Sequence, residues 1–275
     1  MVTSNQIRVL HVDDDSYFGE LVADRLGHKA DQLTIQTAST PNEGLSILTT
    51  NTIDCILSDY DMPAQNGLKF LKTIRKNYPD LPFILYTSKG SEEVASKAIS
   101  AGVTDYLQKE AGPGHYELLT KRITSAVNQY RAQKELARNE DLLASTEQLA
   151  NTGGWELDIE TGETHWTEGT YAIYGLDPDA ELTKQKAIEF YHPEDRKEIK
   201  RLVEHCIDTG ESYEAELRLI NADDQLRWIQ TNGKAIRKNG EVVAIRGAIR
   251  DITDLKQVQE NTTTVQDVSS RRGGT

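Results

Sequence analysis

The chain has 275 residues, with 44 acidic against 31 basic side chains and a net charge of −13, and its length predicts about two small domains. Acid is in excess in both halves, 15 to 10 over residues 1–115 and 22 to 14 over 151–256, which argues against sequence-independent nucleic-acid binding. Cys55 and Cys206 are too far apart for a CxxC site or a disulfide framework, and no signal-like core or apolar run of about 18 residues is present. A soluble, cytoplasmic protein with no membrane contact is expected.

In chain order, the first apolar run, residues 7–12, ends on Asp13 and Asp14, and the second, residues 53–58, ends on Asp59. A third, residues 82–86, ends on Thr87, and a shorter fourth, residues 104–108, ends on Lys109. If these runs are neighbouring parallel strands, the three acids, the hydroxyl and the amine gather at the carboxyl edge of one sheet, where α/β folds place their chemistry. Crowded carboxylates repel one another unless a cation sits among them, and an oxygen-only donor set suits Mg²⁺. Asp59 would then stay ionised as a nucleophile towards phosphorus, while Mg²⁺, Lys109 and Thr87 balance charge on the phosphoryl oxygens. The plainer reading of the Asp pair is the start of a helix, because Asp is a good N-cap.

These residues resemble the receiver domain of two-component response regulators over roughly residues 6 to 130. The resemblance is carried by Val12-Asp13-Asp14-Asp15, by residues 57–63 with Asn66-Gly67, by Tyr86-Thr87-Ser88, and by Asp105-Tyr106-Leu107-Gln108-Lys109. It implies a flavodoxin-like α/β domain in which Asp59 accepts a phosphoryl group. It further implies that Asp14 and Asp59 ligate Mg²⁺ with the Asp61 main-chain carbonyl, that Asp13 acts through water, and that Thr87 and Tyr106 form a switch pair. Asp61 and Lys89 lie where the family tunes access of hydrolytic water. One departure is Glu110, which stands where the family commonly has proline after its lysine. Asp59-Tyr60-Asp61 also resembles the Asp-x-Asp of haloacid-dehalogenase-type phosphatases, but there the nucleophile follows the first strand, and here Pro63 follows the motif.

Between His115 and Thr152 there is neither Gly nor Pro, in a sequence of good helix formers. A single helix of roughly 55 Å is predicted. Leu119, Ile123, Ala126 and Tyr130 are spaced to cover the sheet, whereas Leu136, Leu143 and Ala150 repeat every seven residues beside Leu142 and Leu149. That second stripe suits a parallel coiled coil and predicts a homodimer; the plain alternative is a solvated linker helix.

From Asn151-Thr152-Gly153-Gly154 onward the pattern changes to short alternating strands with Gly and Asp turns: residues 155–159, 164–166, 213–219, 225–230, a strand before Lys238-Asn239-Gly240, and 242–249. These six runs are read as an antiparallel sheet of five strands, with small helices between its second and third strands. The segment resembles a PAS domain over about residues 150 to 256. The matching residues are Gly154-Trp155-Glu156-Leu157-Asp158, Trp166, Tyr174-Gly175-Leu176, residues 191–196, Leu226-Arg227-Trp228, and Gly247 to Thr253. The resemblance fixes the fold better than the input, so the PAS ligand is left unassigned. His165, His192 and His205 make no haem pattern, since His192 sits in a His-Pro-x-Asp-Arg turn of structural reading. Cys206 lacks the Asn-Cys-Arg-Phe-Leu context of flavin-adduct PAS domains, so neither haem nor flavin is expected. Trp155, Trp166 and Trp228 read as core or rim packing.

The expected organisation is a receiver over 1–130, a helical linker over 131–150, a PAS domain over 151–256, and an exit helix and disordered tail over 257–275. On this reading the chain is a response regulator and not an enzyme. A partner histidine kinase or phosphotransfer protein phosphorylates Asp59, and the output passes through the helix to the PAS domain and a downstream protein partner. The alternatives are a ligand-sensing or scaffolding PAS protein whose receiver serves mainly for docking, and a phosphatase acting through Asp59.

Overall fold

The computed structural model describes residues 6–63, 65–88, 92–110, 112–178, 180 and 182–259; Lys89 and the expected tail beyond residue 259 lie outside them. The chain divides into two compact units within one long helix, after Ala137.

In the first unit β1 (Ile7–Val12), β2 (Leu33–Ala38), β3 (Cys55–Ser58), β4 (Phe83–Thr87) and β5 (Asp105–Gln108) form a parallel sheet in the order β2-β1-β3-β4-β5. This is the flavodoxin-like order, with its topological switch between β1 and β3. The central strands β1, β3 and β4 read as continuous apolar runs because both their faces are covered. Val9, Leu57 and Tyr86 enter one core with Val22 and Leu26 of α1 (Ser16–Lys29) and with Leu119, Ile123 and Val127 of α5 (Pro113–Ala150). Leu10, Ile56, Phe83 and Leu85 enter the other, with Leu48 of α2 (Pro41–Thr50), Phe70 of α3 (Gly67–Ile74) and Ala98 of α4 (Glu92–Ser100).

Helix α5 opens at Pro113, before the expected start at residue 115, because proline suits the first turn, where its missing N–H costs nothing. It ends before Asn151, whose φ of 52° turns the chain out of the helix. Leu119, Ile123 and Ala126 are buried and Tyr130 partly so, as their spacing predicts, and Val127 joins them. Arg131 then ties the helix to the sheet, donating to the Gln6 carbonyl at 2.8 Å and pairing with Asp54 at 2.9 Å. Further along, Leu136, Leu142, Leu143 and Leu149 are exposed, Leu149 by 88%.

In the second unit β6 (Thr152–Asp158), β7 (Thr164–Trp166), β8 (Tyr213–Ile220), β9 (Leu226–Lys238) and β10 (Glu241–Asp251) form an antiparallel sheet in the order β7-β6-β10-β9-β8. Between β7 and β8 lie α6 (Glu168–Tyr174), α7 (Lys184–Glu189) and α8 (Arg196–Thr209). The last is 14 residues long, longer than the small helices expected. Strand β6 also starts earlier than its alternating pattern indicates and takes in Gly153 and Gly154. A Cβ on Gly153 would lie 2.1 Å from the Thr170 nitrogen, and one on Gly169 would lie 2.1 Å from the Thr152 carbonyl. These glycines therefore let the backbones of β6 and α6 touch, a purpose that the sequence pattern alone does not separate from a linker. Residues 253–259 are helical.

The His192-to-Arg196 turn is held by ions. Asp195 accepts from the Arg218 main-chain N–H at 2.8 Å and from its Nε and Nη2 at 3.0 and 2.7 Å. The Arg218 hydrogen bonds hold the Asp195 carboxyl below the usual carboxylate range. A carboxyl depressed in the folded state adds stability that is complete above its unfolded pKa, near 4, and is lost as pH falls through the folded value. Thermal melts of the full chain should accordingly fall more steeply below about pH 4 for the wild type than for Asp195→Asn. Parallel declines in the two proteins would show that this pair does not set the acid stability.

Candidate functional site

The carboxyl edge of the parallel sheet is built by main-chain bonds that run one residue past each strand. The Asp13 N–H donates to the Ala38 carbonyl at the end of β2 at 3.0 Å, the Asp59 N–H to the Val12 carbonyl at the end of β1 at 2.9 Å, and the Lys109 N–H to the Thr87 carbonyl at the end of β4 at 2.7 Å. Each side chain is thereby fixed by its neighbour's ladder, on rigid backbone at the switch point. Asp15 takes the helix-capping role that the Asp run invited: its carboxylate accepts from the Phe18 N–H at 3.0 Å at the start of α1. That leaves Asp13 and Asp14 available for other work.

Asp13 and Asp59 are only 3% and 5% exposed. The Lys109 ammonium lies between them, donating to Asp13 Oδ2 at 2.7 Å and standing 2.9 Å from Asp59 Oδ1. Its approach to Asp59 Oδ1 is off the direction of a hydrogen bond, so that buried oxygen has a charge partner and no hydrogen-bond donor among the described residues. Asp59 Oδ2 accepts from the Asp61 N–H at 2.9 Å. Burial works against the charge on Asp13, but His11 and Lys109 outweigh it and hold the carboxyl below the usual range. Glu110 in place of proline does not prevent Lys109 from reaching both acids.

Asp14 and Asp61 are exposed, Thr87 is fully buried at the end of β4, and Tyr106 is half-buried on β5, where burial raises its phenol pKa. The structure thus brings Asp13, Asp59 and Lys109 into contact and leaves Asp14 facing solvent. Among the described residues no three His, Cys, Asp or Glu side chains are drawn together closely enough to enclose a metal ion. The donor chemistry nevertheless suits a hard cation: all the candidate ligands are oxygens, one buried oxygen of Asp59 lacks a donor, and among the described residues the acids at this edge outnumber the Lys109 ammonium.

Phe18, His11 and His115, which carry no motif in the sequence, also belong to the site. The Lys109 ammonium sits 4.5 Å from the centre of the Phe18 ring, a cation–π contact that holds its direction. Fully buried His11 places Nε2 3.5 Å from Asp13 Oδ2. Tyr86 stacks on His115 and hydrogen-bonds its Nε2 at 2.9 Å, joining β4 to the first turn of α5. Gly67 is a second backbone constraint: a Cβ there would stand 2.3 Å from the Asp59 carbonyl oxygen, so Asn66-Gly67 is needed to start α3 against the acid. In the second unit a separate cavity is lined by Trp155, Trp166, Tyr174, Tyr191 and Tyr213, with Lys184 also on its wall. His165, His192 and His205 are not among its lining residues, and Cys55 and Cys206 are free and buried. No described helix is long and apolar enough to cross a membrane.

The comparisons with known proteins divide the chain in the same way. The family model described as the response regulator receiver domain matches residues 9–123, and the one described as the PAS fold matches residues 163–249. The blue-light-activated histidine kinase of Brucella anthropi is 32% identical over 125 residues, which cover 46% of this chain and 25% of that protein. The protein of the same name from Brucella ovis is 28% identical over 127 residues, again 25% of its length. The chain therefore spans about a quarter of the curated relatives it matches. Among solved structures, a response regulator receiver domain protein from Clostridium thermocellum shares 29% identity at a TM-score of 0.42, covering 46% of this chain and 98% of that one. A sensory box histidine kinase/response regulator from Burkholderia thailandensis shares 25% identity at a TM-score of 0.39, covering 47% and 98%.

Removing the ammonium would leave two buried acids facing one another. Lys109→Met should lower stability in urea at neutral pH, in the absence of divalent cations, by on the order of 3 kcal/mol. Asp59→Asn added to that variant should restore part of the loss, because it removes one of the stranded charges. Unfolding followed by circular dichroism checks both; an additive loss in the double variant would contradict the bridging role.

Proposed function

Because the chain carries a response regulator receiver domain followed by a PAS domain, we propose that it is a two-component signalling protein whose Asp59 accepts a phosphoryl group from a histidine kinase or phosphotransfer protein. The observation that carries this reading is the buried Asp59 carboxylate, fixed at the end of β3 and matched by Lys109. An oxygen of Asp59 forms the new bond to phosphorus while the partner's imidazole nitrogen leaves with the bonding electrons. Lys109 then turns from carboxylate to phosphoryl oxygen, a move of charge between groups already within its reach. Thr87, at the end of the neighbouring strand, donates its hydroxyl to the same phosphoryl group, and Tyr106 on β5 responds as the second member of the switch.

Asp14 and Asp59, with the Asp61 carbonyl and with Asp13 through water, would hold Mg²⁺. When bound, that ion neutralises charge on the transferred group. Asp61 also screens the acceptor from hydrolytic water, with its N–H on Asp59 Oδ2 and its side chain exposed. The boundaries we propose follow the same logic: a receiver over residues 1–130, a linker over 131–150 and a PAS domain over 151–256. The linker's exposed leucines pair with those of a second copy, which makes the signalling species a homodimer that passes its state to a downstream protein.

Two measurements test this reading. Acetyl phosphate with Mg²⁺ should add one phosphoryl group to the wild-type chain by intact mass and none to Asp59→Asn, and chelation should abolish the addition. Labelling that survives Asp59→Asn would move the acceptor elsewhere. In sedimentation at tens of micromolar the wild type should run as a dimer and the Leu142→Glu/Leu149→Glu variant as a monomer; a monomeric wild type, with and without phosphodonor, would remove the dimer.

A further inference from the structure

The last turns of α5 carry a buried acid that the phosphoryl site does not use. Glu147 is 7% exposed although Leu143 and Leu149 beside it lie open to solvent. Its Oε1 accepts from the Gly154 N–H at 3.1 Å and the Thr167 hydroxyl at 2.6 Å, and its Oε2 accepts from the Gly169 N–H at 3.1 Å. No basic side chain pairs with it among the described residues. Three neutral donors therefore share one buried carboxylate, an arrangement whose loss is costly because charged hydrogen bonds are the strong ones.

The three donors have a common neighbourhood. Gly154 precedes Trp155, Thr167 follows Trp166, and Gly169 precedes Thr170, and those three neighbours all line the aromatic cavity of the second unit. Thr170 also donates to the Gly154 carbonyl at 2.8 Å, and Thr167 accepts from the Gly154 N–H at 2.7 Å. With the backbones of β6 and α6 in contact at Gly153 and Gly169, this corner of the cavity is one packed body with no slack to absorb a shift.

We infer that Glu147 is a positioning residue that couples the end of α5 to the wall of the cavity. A rotation or shift of these helix turns carries the carboxylate, and with it the Gly154 and Gly169 amides and the cavity residues next to them. By linkage, a molecule that enters the cavity and displaces Trp155, Trp166 or Thr170 changes the same helix turns. The coupling needs no phosphorylation of Asp59, so it holds whatever drives the helix.

A cycle of substitutions in the full chain, read by hydrogen exchange, tests it. Ala144→Gly loosens α5 one turn before Glu147, and in the wild-type background it should speed exchange of the Gly154 and Gly169 amides about fivefold, together with the turns of α5 around them. In the Glu147→Ala background the same change should speed only the helix turns. Glu147→Gln, which keeps one accepting oxygen, should give an intermediate factor and serves alone if the alanine variant fails to fold. Unchanged exchange across the β8–β9 ladder confirms that each variant is folded. Equal responses at Gly154 and Gly169 in both backgrounds, or none in either, would overturn the inference. No phosphodonor is used, so an inert Asp59 would leave the outcome unaffected.

Discussion

Two buried carboxylates on adjacent strands repel one another unless a cation stands between them, and among the described residues Lys109 takes that place. Everything at the carboxyl edge is arranged around that balance. Main-chain bonds past the ends of β1, β3 and β5 hold Asp13, Asp59 and Lys109 in place, Phe18 steers the ammonium, and Gly67 allows α3 to begin against the Asp59 carbonyl. The result is a buried carboxyl kept in a fixed position, with one oxygen that no described donor hydrogen-bonds, the arrangement that the proposed phosphoryl acceptor requires.

On the proposed reading, exchange of the Lys109 charge partner is the signal. Among the described residues Lys109 is held by the carboxylates and ring faces around it, so a group that brings new negative charge to Asp59 competes for it. Tyr86 carries the neighbouring strand into contact with His115 at the start of α5. Arg131 anchors the helix again where its sheet-covering face ends. At its far end Glu147 grips the corner of the aromatic cavity. Between these holds the helix exposes leucines at heptad spacing, and an unpaired apolar stripe on a polar helix is the usual mark of a partner helix.

Much of this was legible in the sequence because chemistry sat at the ends of apolar runs. Asp13, Asp59, Thr87 and Lys109 each follow such a run, and parallel strands put run ends on one edge. Strand β2 ends on Ala38, with no reactive side chain to draw attention, and only its alternation marks it. Spacing brings Asp14 to the same edge, where its side chain is exposed while Asp13 and Asp59 are buried about Lys109. Phe18, His11 and His115 were not legible, because their roles arise from packing between distant elements. Glu147 was hidden in the same way, in a helix where an acid ordinarily reads as solvated surface, and nothing in the sequence pattern marks Gly153 and Gly169 as the contact between two backbones.

The central claim is that Asp59, with a divalent cation, forms a bond to a phosphoryl group. Fluorine-19 NMR of the full chain with beryllofluoride, a phosphoryl mimic, addresses it most directly. The account predicts a bound resonance that appears only with Mg²⁺ and is absent in Asp59→Asn. A bound resonance that persists in Asp59→Asn or without Mg²⁺, or none in the wild type, would contradict it.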